Sequence, residues 1–348
     1  MAMESPEYVR TSLAAAITLG FVPGRFRRHA KLTGLNLLLT YEDGCLGRCS
    51  YCGLARSRLL SSPEKQTFIR VDWPTYPLEE IISRTKRTPG GHLKRVCVSM
   101  ITHPRAFADM NSVIRRFHHE VSLPISALIS PTTLCEPQTM LAETKAAGAD
   151  MVGIAIDAAT PELFDRHRRR GVSGPHRWEH FWGCVEAAVE VFGCHKVGVH
   201  LIVGLGETER ETIEAIQKAQ DMGAQTHLFS FFPEGGTLLD RWPQPSYGQY
   251  RRVQLARYII NEGYGRAEEI SFNEAGQVVD FGVEYVEEII EQGAAFMTSG
   301  CPGEDGSLAC NRPFGNERAS RPIRNYPFPP EVEDIALIRL QLREGLVS

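Results

Sequence analysis

Hydrophobic and polar positions along this chain follow two periods in turn. Short aliphatic runs at residues 36–40, 95–100, 124–130, 151–157, 196–204 and 227–233 read as buried strands. Between and after them, residues 77–84, 106–121, 137–147, 178–192, 207–222 and 247–261 read as amphipathic helices, the first with Pro77 in its opening turn. Aliphatic strands each followed by such a helix predict a parallel sheet with right-handed crossovers. A seventh strand at 269–272, a helix at 284–292 and an eighth strand at 294–298 carry a weaker pattern. The fold class predicted is α/β, a TIM-type (β/α) barrel, either a complete (β/α)8 or a partial (β/α)6.

The two ends read differently. Residues 1–34 are expected to form an N-terminal helical extension, with helix material at 14–19 stopped by Gly20 and Pro23. The barrel is assigned to 35–300 and a C-terminal cap to 301–348. Within that cap, 301–330 is rich in Gly, Pro, Asn and Arg, and 331–342 suits a closing helix. The chain shows no internal repeat.

Composition bounds the picture. With 348 residues, 43% hydrophobic and 23% charged, the chain can bury the core of one large barrel or two ordinary domains. A net charge of −4 gives no pull towards nucleic acid or anionic membrane. Basic clusters at 25–31 and 166–170 read as solvated helix ends or anchors for an acidic partner. No run approaches a membrane span and the first ten residues lack a basic-then-apolar leader, so a cytoplasmic protein is expected. Nine cysteines in a reducing compartment argue for metal ligands and buried thiols rather than disulfides.

Cys45, Cys49 and Cys52 stand in CxxxCxxC spacing directly after the first aliphatic run. Soft thiolates on one tight loop can hold three irons of a cubane 4Fe–4S cluster. No fourth cysteine is present in the loop, which leaves one iron open, as in catalytic rather than structural metal centres. Structural zinc would want a second pair of ligands, and none follows. The motif, with Tyr51 before its last cysteine, resembles the signature of the radical S-adenosylmethionine (radical SAM) superfamily. The resemblance implies that SAM chelates the open iron and is cleaved to methionine and a 5′-deoxyadenosyl radical. That radical then takes a hydrogen from an unactivated carbon.

Other positions extend the resemblance and its SAM-binding set. Tyr51 would meet the adenine, Ile202 would pack on it, and Gly204 to Glu207 would shape the turn beside it. Phe231, Phe232 and Pro233 match the segment whose backbone reads the adenine edge. Asp157, at the end of its strand, would accept the ribose hydroxyls, or else cap the helix beginning near Pro161. Thr102 follows the second strand, where the family's Gly-Gly-Glu-like motif for the methionine amine is not intact. Thr208 and Glu211 form a capping box, and Gly204-Leu-Gly206 is not a dinucleotide fingerprint because Glu209 takes the third glycine position. His200 is a substrate contact or a core histidine.

Cys301 and Cys310 lie in a proline- and glycine-rich turn and suggest ligands of an auxiliary Fe–S cluster, with Cys97 as a third. If the eighth strand forms, Cys301 opens onto the barrel mouth. Cys97 matches a ligand of the auxiliary cluster of biotin synthase, but that enzyme's later cysteines fall here at apolar positions and at Gly198, so its cluster cannot be assembled unchanged. Cys135, Cys184 and Cys194 read as structural.

The whole chain resembles the biotin synthase and lipoyl synthase-like branch. Asn311-Arg312-Pro313 and Arg324-Asn325-Tyr326-Pro327 are most similar to the paired, two-protein lipoyl synthases. This implies a sulfurtransferase acting on an octanoylated lipoyl-carrier protein, with a second related radical SAM protein and a ferredoxin or flavodoxin type reductant. Arg312, Arg318, Arg321 and Arg324 would face an acidic carrier or fix the tail. Other readings stay open: a mutase or maturase of the methylornithine synthase or hydrogenase maturase type, an RNA methylthiotransferase, or a non-enzymatic cluster scaffold. The methylthiotransferase would need an extra RNA-binding domain, and none is visible.

Overall fold

The structure is a computed structural model that describes residues 3–56, 58, 67–68, 71–88, 91–312 and 322–346. In chain order its strands are β1 (Tyr8–Thr11), β2 (Gly34–Leu39), β3 (Thr67–Phe68), β4 (Val71–Asp72), β5 (Thr75–Pro77), β6 (Arg95–Ser99), β7 (Ile125–Ile129), β8 (Met151–Asp157), β9 (Val197–Val203), β10 (Gln225–Ser230), β11 (Ser271–Phe272) and β12 (Val278–Asp280). The helices are α1 (Leu13–Thr18), α2 (Leu78–Arg87), α3 (Ala106–Glu120), α4 (Pro137–Ala146), α5 (Pro161–Arg168), α6 (Trp178–Phe192), α7 (Glu209–Asp221), α8 (Tyr247–Asn261), α9 (Val286–Gln292) and α10 (Val332–Leu342).

One eight-stranded sheet runs β10-β9-β8-β7-β6-β2-β1-β5. From β2 to β10 its six strands are all parallel, which makes the partial (β/α)6 barrel. Their near-continuous aliphatic sequence follows from burial on both faces: helices cover the outside and side chains fill the inside.

Three expectations need correction. The N-terminal extension is not purely helical, because β1 pairs antiparallel with β2 and extends the sheet. The run at 269–272 is no barrel strand; β11 pairs only with β12, in a separate ribbon. Residues 294–298 form no eighth strand, since Ala294–Phe296 is a 3-10 turn followed by a lone bridge from Met297 to Tyr326. In each case a short apolar run found a partner other than the barrel.

In place of further strands, residues 298–311 plug the lower end of the barrel. Leu228 N–H on β10 donates to Ser299 Oγ at 2.8 Å. On the other side Thr33, just before β2, donates from its backbone to Asn311 Oδ1 and from its hydroxyl to the Ala309 carbonyl, both at 2.7 Å. Arg95, the first residue of β6, donates to the Pro302 carbonyl. The cap beyond is fastened by Arg251, fully buried, whose guanidinium is satisfied by Gln341, Gln254 and the carbonyls of Ile323 and Arg324. Arg324 is buried against Tyr247 and so fixes the tail rather than facing a partner. Arg318 and Arg321 lie outside the described residues. No helix among the described residues is long and apolar enough to cross a membrane.

Candidate active site

The loop after β2 carries Cys45, Cys49 and Cys52 over the C-terminal ends of the strands. Backbone bonds tie it to neighbouring loops: Leu46 N–H to the Thr102 carbonyl at 2.8 Å, Ser50 N–H to the His167 carbonyl at 2.9 Å, and Leu239 N–H to the Ser50 carbonyl at 3.1 Å. His167 adds a side-chain tie. Its Nε2 donates to the Leu205 carbonyl at 2.9 Å and its Nδ1 accepts from the Ser50 hydroxyl at 2.8 Å. Burial lowers its pKa, which suits this neutral tautomer. The loop is thereby fixed to the segments following β6, β8, β9 and β10.

All three thiols are free and line one cavity of about 300 Å³. Gly47 N–H points at Cys45 Sγ (3.3 Å) and Leu54 N–H at Cys52 Sγ (3.4 Å), donors suited to negative sulfur. Gly47 packs closely here: a Cβ would lie 3.2 Å from both Cys45 Sγ and His176 Nε2, and one of those side chains would have to shift. Burial pushes the Cys49 and Cys52 thiols up, while the Arg168 charge pulls Cys49 down. A bound metal would invert that preference, since a coordinating thiol is deprotonated. Among the described residues no three His, Cys, Asp or Glu side chains converge on the position of a single metal ion. Three thiols on one loop, two of them facing backbone N–H groups, are the donor set of a thiolate-bound Fe–S cluster.

Arg168, at the end of α5, is the charged neighbour that the sequence hid within a basic run. It is buried, donates to the Ala155 carbonyl and, at 2.8 Å, to that of Ile156, and lies 3.4 Å from Asp157. The rings of Phe164 and Phe181 flank it. Asp157 closes β8 with φ +66°, a left-handed conformation that Asp tolerates better than most residues. It does not cap α5; Thr160 does. Asp157 instead accepts a 2.5 Å hydrogen bond from the Tyr51 hydroxyl. His176, also missed in the sequence, bonds Thr132 through Nδ1 at 2.6 Å, and its pKa is pushed down to about 2 by burial and then by Arg168.

Among the SAM-binding set, Tyr51, Thr102, Asp157, Ile202 and Phe232 line the cavity with the cysteines, as do Phe231 and His200. Thr102 shares a 2.8 Å hydroxyl contact with Ser130, another lining residue. Gly204, Glu207 and Pro233 do not line it. Glu207 is buried and braces the turn after β9, accepting from Gly204 N–H at 2.5 Å and Leu205 N–H at 2.9 Å. Burial raises its pKa to about 7 against the pull of those donors.

The cavity's lower end collects the other cysteines. Cys97 on β6 and Cys310 in the plug line it; burial pushes both thiols up, with Cys310 and Cys301 adding to the shift of Cys97 and Cys301 to that of Cys310. Cys301 is buried at this same end, influenced by Ser126 and Arg95, rather than at the mouth. The plug, not an eighth strand, places it there. His227, the neighbour of Cys301, is held neutral by burial, as is His200, which is pushed down to about 4. Cys184 is buried, and Cys135 and Cys194 are exposed.

A family model described as the Radical SAM superfamily matches residues 40–219. The chain belongs to the radical SAM superfamily. Enzymes of this family use a 4Fe–4S cluster and SAM, and the rim cysteines fit such a cluster. Among solved structures, the chain is similar to the FeFe-hydrogenase maturase HydG from Carboxydothermus hydrogenoformans, with TM-score 0.51 and 17% identity over 72% of this chain and 55% of that one. A second HydG structure gives TM-score 0.50 and 15% identity over 64% and 48%. The chain spans about half the length of these relatives, and at such identity the likeness shows the fold alone. No curated protein matches.

Proposed function

We propose that this radical SAM enzyme is a sulfurtransferase that inserts sulfur at an unactivated C–H bond of an octanoyl chain on a lipoyl-carrier protein. The observation that carries the reading is that one cavity has the Cys45–Cys49–Cys52 loop at its mouth and Cys97 and Cys310 at its floor, with Cys301 buried beside them. Sulfur insertion needs a radical source and a sulfide source within reach of the same carbon. When bound, the rim cluster and SAM supply the radical, and an auxiliary Fe–S cluster on the floor cysteines supplies the sulfide.

The chain's own residues divide the remaining work. In this reading Asp157 accepts the ribose hydroxyls, and its contacts with Tyr51 and Arg168 support that role. Ile202, Tyr51 and Phe232 offer an apolar seat for adenine, and Thr102 a hydroxyl for the methionine end. Gly204, Glu207 and Pro233 act by shaping the loops that present these groups. Leu38, Trp73, Met100, Leu128, Phe229 and Ile323 give the walls the apolar character that suits a hydrocarbon chain and excludes water. The reading brings with it an octanoylated carrier, a second related radical SAM protein and a ferredoxin or flavodoxin type reductant.

The test is anaerobic reconstitution with SAM, dithionite, the partner protein and an octanoylated carrier domain, followed by mass spectrometry of the carrier. A gain of sulfur supports the reading. SAM cleavage with the carrier mass unchanged, and about four irons per chain rather than more, would favour a mutase or maturase instead.

A further inference from the structure

The floor of the cavity holds more than its cysteines. Asn36 on β2, Cys97 on β6 and Ser126 on β7 lie side by side in register, as do His200 on β9 and His227 on β10. Gly153 and Gly198 are also paired across β8 and β9. A Cβ at Gly198 would sit 2.6 Å from His227 Nε2, and one at Gly153 would sit 2.9 Å from a Leu128 methyl and 3.3 Å from His200 Nε2. Neither glycine adopts a positive φ, so both are explained by space. Strand-interior glycine weakens a sheet and often marks a close approach; here the rings occupy the room that two side chains would fill.

Two polar atoms at this end are left without partners. His227 is 5% exposed and its Nδ1 has no hydrogen bond. Asn36 Oδ1 is likewise buried and unbonded, while its Nδ2 lies 3.9 Å from Cys310 Sγ. A buried polar atom without a partner costs about 1–3 kcal/mol, so this end of the cavity is not packed for stability alone. His227 Nε2 is 3.9 Å from Cys301 Sγ. Metal–sulfur and metal–nitrogen bonds near 2.3 and 2.0 Å in a tetrahedral site set two ligands of one metal roughly 3.6 Å apart. The Cys301–His227 separation is close to that value. Cys97 feels the charges of both Cys310 and Cys301, and Cys310 that of Cys301, so the three thiols lie close enough to act on one another.

We infer that the floor is a three-cysteine, one-histidine site for a 2Fe–2S cluster, with Cys301 and His227 on one iron and Cys97 and Cys310 on the other. This rests on the proposed auxiliary cluster and deepens it by naming the nuclearity and the fourth ligand. A neutral imidazole in place of a thiolate leaves the cluster less negative and raises its potential, as histidine does in other 2Fe–2S centres. It also gives one iron a ligand more easily lost than a thiolate.

The test isolates the floor. A chain carrying Cys45→Ala, Cys49→Ala and Cys52→Ala is reconstituted anaerobically, unlabelled and with 15N-histidine, and its irons are counted. The reduced cluster is then examined by pulsed electron paramagnetic resonance. The expected result is about two irons per chain and a strong nitrogen coupling from one imidazole that changes with the label. His227→Cys keeps the iron, loses that coupling and lowers the potential; His227→Leu loses most of the iron. Floor iron with no histidine coupling overturns the histidine while leaving the sulfurtransferase reading intact. Four irons on the floor overturn the nuclearity, and no floor iron overturns both this inference and the auxiliary cluster.

Discussion

At the mouth of the cavity three cysteines come from one loop, residues 45–52; at the floor three come from a strand and from a plug at the far end of the chain. The mouth is fixed by backbone hydrogen bonds to neighbouring loops and leaves its sulfurs facing an open space that a small molecule can enter. The floor is assembled by topology: β6 supplies Cys97, and residues 298–311 carry Cys301 and Cys310 in beneath it. The rim has a buried cation, Arg168, against Cys49, whereas the floor has the imidazole of His227 against Cys301. On the proposed reading, one end binds and cleaves a ligand repeatedly and the other encloses an inorganic group.

The contrast can be broken most severely at the rim. Replacing any of Cys45, Cys49 or Cys52 by Ala is expected to abolish SAM cleavage and remove about four irons per chain, measured as 5′-deoxyadenosine formed and iron bound. At the floor, Cys97→Ala or Cys310→Ala should remove the remaining iron and the sulfur-containing product while 5′-deoxyadenosine continues to form. Equal loss of SAM cleavage from both ends would erase the distinction. Arg168→Met comes next: stranding Asp157 without its buried partner should cost about 3 kcal/mol in thermal or denaturant unfolding. The same change should lower the rim cluster's reduction potential by removing a cation beside Cys49.

Glu207 gives a smaller effect with a defined sign. Its folded-state pKa, about 7, lies above the ordinary 4.5, so the folded chain holds a proton that the unfolded chain releases across that window. Stability should therefore fall as pH rises from about 4.5 to 7, and the Glu207→Gln variant should lack that slope in melting experiments. The smallest change is Thr208→Ala, which removes the α7 capping box and should cost about 1 kcal/mol.

Much of this was legible in the sequence where one local cause decided the outcome. The six parallel strands are aliphatic because both faces are buried, and α6, α8 and the Thr208–Glu211 cap fall where period and capping chemistry put them. The rim motif reads from spacing alone. Residues 269–272 and 294–298 misled because a short apolar run does not declare its partner. Arg168 was concealed because a run of arginines looks solvated, and only the packing of α5 buries one of them next to Cys49. The floor was legible as three candidate cysteines but not as a place, since the plug that gathers them has no periodic signal. His227 carried no signal in the sequence, because only the packing of β10 beside β9 sets its ring over Gly198.

The most direct test of the account follows the sulfur. The chain is reconstituted with sulfur-34 sulfide, freed of excess sulfide, and turned over anaerobically with SAM, reductant, its partner and an octanoylated carrier, and the carrier is then weighed by mass spectrometry. The account predicts sulfur-34 in the product, absent when Cys97 or Cys310 is Ala although SAM is still cleaved. A carrier that gains no sulfur while SAM is consumed, or sulfur-34 incorporated equally by the floor variants, would contradict it.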